Sequence, residues 1–138
     1  PSPEARRRFA APVPRIEVGG WLAEQGARAM LDLSDGLAGD VRHLAAASGA
    51  RITIELDRLP IDLGVAEAAS RAGQRSEPFA AAGGEDYELL VAMPPEFSRR
   101  DVPGDVALTE IGTVNEGRGA VLLLDGRPVD LAGFDHFA

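Results

Sequence analysis

Ala29-Met30-Leu31-Asp32-Leu33-Ser34-Asp35-Gly36-Leu37 reads as the end of a buried strand, a sharp turn and the opening of a helix. Leu37, Val41, Leu44, Ala45 and Ser48 recur at i, i+4, i+7, i+8 and i+11, one face of a helix that stops at Gly49. Alternation along the strand puts Asp32 and Ser34 on one side. Asp35 and Gly36 are expected in the first helical turn, whose free N–H groups attract anions. Two carboxylates and a hydroxyl would then meet beside a phosphate-compatible helix end. Magnesium favours one or two carboxylates, several waters and substrate phosphate oxygens, and Asp32 and Asp35 can supply the protein's share. The same residues have a plainer reading, with Ser34 as an N-cap and Asp35 complementing the helix dipole.

Composition narrows the classes of function. The chain of 138 residues is 45% hydrophobic, enough for one domain with a real core. Its net charge of −8, with 14 Lys and Arg scattered along the chain, argues against an extended nucleic-acid contact. The absence of cysteine excludes disulfides, a thiolate nucleophile and a zinc finger. No apolar run approaches the roughly 20 residues that span a bilayer, and no signal-peptide core opens the chain, so a cytoplasmic protein is expected.

The organisation is one of strands interleaved with helices. Residues 1–14, with Pro1, Pro3, Pro12 and Pro14 around Arg6-Arg7-Arg8, read as a linker from a preceding domain, and 15–138 as the folded unit. A short helix is expected from Arg15 to Arg28, loosened at Gly19-Gly20 and ended by Gly26, with Trp21 as its packing anchor. Arg51 to Asp57 alternates, Ile52, Ile54 and Leu56 on one face and Thr53 and Glu55 on the other, as a half-buried strand does. An alanine-rich helix follows from Leu63 to Ala72. Strands are expected at Tyr87 to Met93 and Val106 to Val114, and Ala120 to Leu124 meets Pro128-Val129 through the tight turn Asp125-Gly126.

A second cluster, Gly83-Gly84-Glu85-Asp86-Tyr87-Glu88, sets three carboxylates behind two glycines at the mouth of a strand. Glycines there permit a sharp bend or close approach to a ligand. Solvated loop acids and a substrate-binding site are both compatible with that pattern. The ending Gly133-Phe134-Asp135-His136-Phe137 places two aromatics and an Asp-His pair in the tail.

In order along the chain, Pro12-Val13-Pro14-Arg15, Asp32-Leu33-Ser34-Asp35-Gly36-Leu37 with Asp40 and His43, Gly84-Glu85-Asp86-Tyr87-Glu88-Leu89-Leu90 and the aromatic ending resemble the C-terminal half of thiamine-monophosphate kinases. The first of the longer motifs also occurs in aminoimidazole ribonucleotide synthetases, selenophosphate synthetases and hydrogenase maturation factors, so a related ATP-dependent synthetase is the alternative, with a non-catalytic interaction domain as a third. The resemblance implies an α/β fold of α+β type, with helices packed on a mixed, mainly antiparallel sheet, as in the C-terminal domain of the aminoimidazole ribonucleotide synthetase-like fold. It implies Mg2+ on Asp32 and Asp35, ATP phosphates on Ser34, and thiamine monophosphate against Glu85 and Phe134. The terminal phosphoryl group of ATP would pass directly to the acceptor phosphate, a step that needs positioning and charge neutralisation but no catalytic nucleophile. His43 and His136 are expected to be structural. The resemblance also implies an N-terminal domain, absent from this sequence, that carries most of the ATP site and organises a homodimer; the 138 residues alone are expected to be inactive.

Overall fold

The computed structural model describes residues 16–83, 88–104 and 106–132. Within them, α1 (Ile16–Glu24) leads into β1 (Ala29–Asp32), α2 (Leu37–Ser48), β2 (Arg51–Glu55), α3 (Leu63–Arg71), α4 (Ser76–Ala82), β3 (Leu89–Ala92), β4 (Gly112–Asn115), β5 (Gly119–Leu124) and β6 (Arg127–Val129). Short 3₁₀ turns occupy Leu56–Arg58 and Arg99–Asp101. The strands form two sheets: an antiparallel pair β1-β3, and a four-stranded sheet in the order β4-β2-β5-β6. Only the β2-β5 pairing is parallel among the described residues. Helices on a mixed, mainly antiparallel arrangement are what the chain was expected to build.

The core lies between α2 and the larger sheet. Leu37, Ala38, Val41 and Ala45 of α2 bury against Ile52 and Ile54 of β2, Leu122 of β5, Leu56 and Ala81. The alternation from Ile52 to Leu56 therefore places its apolar residues inward, with Leu56 continuing the face after the strand has turned into a 3₁₀ segment. Ser48, at the end of the predicted α2 stripe, is exposed because the helix overruns the core by a turn. The β5-β6 hairpin has the expected tight turn, with positive φ at both Asp125 (50°) and Gly126 (73°), the backbone of the turn type that matches strand twist.

Other expectations change. α1 runs unbroken through Gly19-Gly20 because Gly19 lets the helix settle on the small sheet: a Cβ there would stand 3.4 Å from Met30 Sδ and 3.5 Å from Leu89 Cδ1. Trp21 meets Phe97 edge-on, ring centroids 5.9 Å apart, and so does act as a packing anchor. β1 is half-buried at Ala29 to Leu31, since its only described strand partner is β3. The predicted strand from Val106 shrinks to Gly112–Asn115 because β2 is short: its edge ends at Glu55, whose N–H bonds the Ile111 carbonyl at 2.8 Å. Helix α4 has no counterpart in the sequence reading; seven residues are too few to show a helical period, although Pro78 is tolerated in a first turn.

An exposed ionic cluster fastens α4. Arg75, at its N-terminal boundary, bonds Asp125 in the hairpin turn and Glu77 (3.1 Å) and lies 3.9 Å from Asp57, whose Oδ2 accepts the Asp125 N–H at 2.9 Å. Hydrogen bonding to Arg75 holds the Asp125 and Glu77 carboxyls below their ordinary range, and Asp125 first and Glu77 second raise the guanidinium in turn. A carboxyl with a depressed folded-state pKa contributes stability above its unfolded value of about 4, and that contribution fades as pH falls through the depressed value.

Two outcomes follow for stability. Below about pH 4 the unsubstituted chain should lose stability more steeply than Arg75→Met, in urea titrations across pH 2 to 7; parallel curves would show that the cluster contributes nothing to folding. Gly112 faces the Thr53 carbonyl so closely that a Cβ cannot fit, with Ile54 Cα at 3.1 Å, whereas a Cβ on Gly20 meets nothing within 4 Å. Gly112→Ala should therefore cost about 1–3 kcal/mol, while Gly20→Ala, in an open helix interior, should stabilise by about 0.5–1 kcal/mol.

Candidate active site

Asp32 ends β1 and is exposed, Leu33 turns toward the core, and Ser34 is exposed again, which is the alternation expected of the strand. Helix α2 then begins later than predicted. Gly36 is its N-cap and Leu37 its first residue, so Asp35 and Gly36 precede the helix instead of forming its first turn. Gly36 has φ +81°, a conformation that would strain a side chain, and makes no side-chain cap. Ser34 is thus not the N-cap, and the plainer capping role fails for it.

The N–H groups of Ser34 and Asp35 are occupied. Both donate to one oxygen, Asp40 Oδ2, at 2.7 and 3.0 Å. Asp40 is 5% exposed and is the buried charged-type side chain among the described residues. The two backbone donors of the turn itself are therefore taken from within by a carboxyl group, and what the turn presents outward is Asp32, Ser34 and part of Asp35. His43 Nε2 approaches Asp35 Oδ2 at 3.9 Å from an exposed position one turn along α2. Asp40 was visible in the sequence as a polar residue at i+3 from Leu37, on the edge of the apolar stripe, but periodicity alone does not say what a buried acid binds.

The second cluster arrives at the same corner by two contacts. Asp32 pairs with Leu89 in the β1-β3 ladder, and the Leu33 N–H donates to the Glu88 carbonyl at 2.9 Å. At the other end of the cluster, Gly36 abuts Gly83, whose carbonyl oxygen occupies the space a Gly36 Cβ would need, with the Ala81 carbonyl at 3.2 Å. The chain leaves α4 at Gly83 beside the turn and re-enters the sheet at Glu88 beside Leu33. Glu85, Asp86 and Tyr87 lie outside the described residues, as do Phe134 and the rest of the aromatic ending and the Arg6-Arg7-Arg8 run.

Asp32 and Asp35 match the donor chemistry of a magnesium ion shared with phosphates. They are two carboxylates on one accessible turn, and no group of three or more His, Cys, Asp and Glu converges among the described residues to make a complete protein cage.

No family model matches the chain. The thiamine-monophosphate kinase of Haemophilus influenzae is 38% identical over 142 residues, covering 96% of this chain and 42% of the relative. That of Methanopyrus kandleri is 40% identical over 121 residues, covering 87% and 38%. The chain is related to the thiamine-monophosphate kinases. It spans about two fifths of the length of these curated relatives. Its fold matches the solved structure of AaThiL complexed with AMPPCP and TMP, with a TM-score of 0.76 and 34% identity, over 96% of this chain and 40% of that one. No described helix is long and apolar enough to cross a membrane.

If this corner depends on the close approach of Gly36 and Gly83, Gly36→Ala should strain the turn and push it from Gly83. A cost of about 1–3 kcal/mol is expected in urea unfolding. Unchanged stability would mean that the two backbones need not touch.

Proposed function

We propose that this chain is the C-terminal domain of a thiamine-monophosphate kinase, residues 1–14 being the linker and 15–138 the domain. The observation that carries this reading is the meeting of the Asp32–Gly36 turn with both ends of the Gly83–Glu88 segment, since these are two of the four stretches on which the resemblance rests. The relationship to curated thiamine-monophosphate kinases, and a structural relative complexed with AMPPCP and TMP, support ATP as donor and thiamine monophosphate as acceptor. The intact enzyme would be cytoplasmic and homodimeric, with the rest of the ATP site on an N-terminal domain.

In this reading Asp32 and Asp35 hold Mg2+, which when bound neutralises charge on the reacting phosphates. Ser34, exposed between the two acids, donates its hydroxyl to an ATP phosphate oxygen. Glu85 and Phe134 contact thiamine monophosphate, the aromatic face against the cationic thiazolium or the pyrimidine. Attack by the acceptor phosphate on the terminal phosphorus requires the two substrates in line, so this chain acts by orientation and by the charge it arranges, with no covalent intermediate.

The test is phosphoryl transfer by the intact protein, with thiamine monophosphate against aminoimidazole precursors as acceptors. Asp32→Asn and Asp35→Asn should each lower thiamine diphosphate formation by about 10²-fold with little change in melting temperature. Transfer to an aminoimidazole precursor instead would assign the chain to a related synthetase. Variants that melt early yet retain specific activity would make the two acids structural.

A further inference from the structure

We propose that Asp40 is the positioning residue of this corner, holding Asp32, Ser34 and Asp35 in the arrangement that receives Mg2+; the inference rests on the kinase reading above. Asp40 stands in the first turn of α2 and reaches back past the Gly36 cap, so that a single oxygen, Oδ2, accepts the N–H groups of two successive residues. The bonds measure 2.7 and 3.0 Å, and the residue accepting them is only 5% exposed, so water competes little for them. The helix is itself held by Leu37, Ala38, Val41 and Ala45 in the core. The position of the core is thereby transmitted to the turn through one side chain. The Leu33 bond to Glu88 and the Gly83 contact at Gly36 hold the two ends of the turn, and Asp40 holds the Ser34 and Asp35 amides between them.

The bonding also sets what the corner accepts. Two adjacent backbone N–H groups pointing the same way can bind a phosphate oxygen directly. Here Asp40 takes both, leaving the outward carboxylates to face a cation. Asp40 touches neither metal nor substrate in this scheme. It acts on them through the residues whose backbone it fixes, as outer partners of metal ligands commonly do.

The experiment compares Asp40→Ala, which removes the acceptor, with Asp40→Asn, which keeps an acceptor oxygen of nearly the same reach, both in the intact protein. Asp40→Ala should raise the Mg2+ concentration for half-maximal phosphoryl transfer by about 10–100-fold, leave KM for thiamine monophosphate within about twofold, and speed amide hydrogen exchange at Ser34 and Asp35 but not at Ile52 to Ile54. Asp40→Asn should rescue most of each effect. A folded Asp40→Ala protein with unaltered Mg2+ requirement would overturn the proposal and leave Asp40 a purely structural cap. If Asp40→Ala does not fold, Asp40→Glu decides, because it keeps the acid and displaces the acceptor by one methylene: a raised Mg2+ requirement supports positioning and an unchanged one refutes it. If the unsubstituted protein transfers no phosphate to thiamine monophosphate, the kinase reading fails on its own. Mn2+ binding followed by electron paramagnetic resonance then judges Asp40 separately, weakened binding in Asp40→Ala supporting the proposal and equal binding refuting it.

Discussion

The hydrogen bonds from the Ser34 and Asp35 amides to one buried oxygen of Asp40 are the constraint on which the rest of the candidate site depends. A helix start normally leaves backbone donors without partners, and a side chain from the first turn often reaches back to satisfy one of them. Here one first-turn side chain satisfies two, both outside the helix. Leaving such donors unpaired inside a protein costs about 1–3 kcal/mol each. The loop is consequently held by the same helix that anchors the core, and a segment rich in acids is kept in one shape despite their mutual repulsion.

Backbone proximity does the second part of the work. Gly36 can take its positive φ and accept the Gly83 carbonyl against its Cα because it has no side chain. Ala81, fully buried, fixes the end of α4, and Arg75 ties its start to the Asp125 turn and to Asp57. A short helix with little intrinsic stability is thus pinned at both ends, and it delivers Gly83 to the turn. The β1-β3 ladder returns the chain at Glu88 to the same place. Two stretches some fifty residues apart in sequence meet by these contacts.

Elements with a strong local pattern were legible. The period of Leu37, Val41 and Ala45 with a terminal Gly49 marks α2 to its last residue, and the alternation from Ile52 to Leu56 marks an inward face. Asp125-Gly126 marks its hairpin because few dipeptides adopt two positive φ values. The errors fall where a partner decides the outcome. Residues from Val106 to Glu110 have strand-like composition but join no ladder, since β2 ends at Glu55, whose N–H makes its bond to the Ile111 carbonyl. Gly19-Gly20 looks like a break, yet a helix whose small residue faces a sheet gains more from close packing than it loses to glycine's freedom.

At the candidate site the division follows the range of the interactions. Sequence alone determined that Asp32, Ser34 and Asp35 sit together at a strand-to-helix turn, because four consecutive residues cannot be far apart, and it carried the family resemblance through its motifs. Tertiary structure decided where the helix starts, which backbone donors Asp40 occupies and that Gly83 and Glu88 close on the turn. Those outcomes depend on burial and on contacts between distant segments. Burial gives a carboxyl group its partners, and the packing of a whole domain, which no local pattern encodes, decides what is buried.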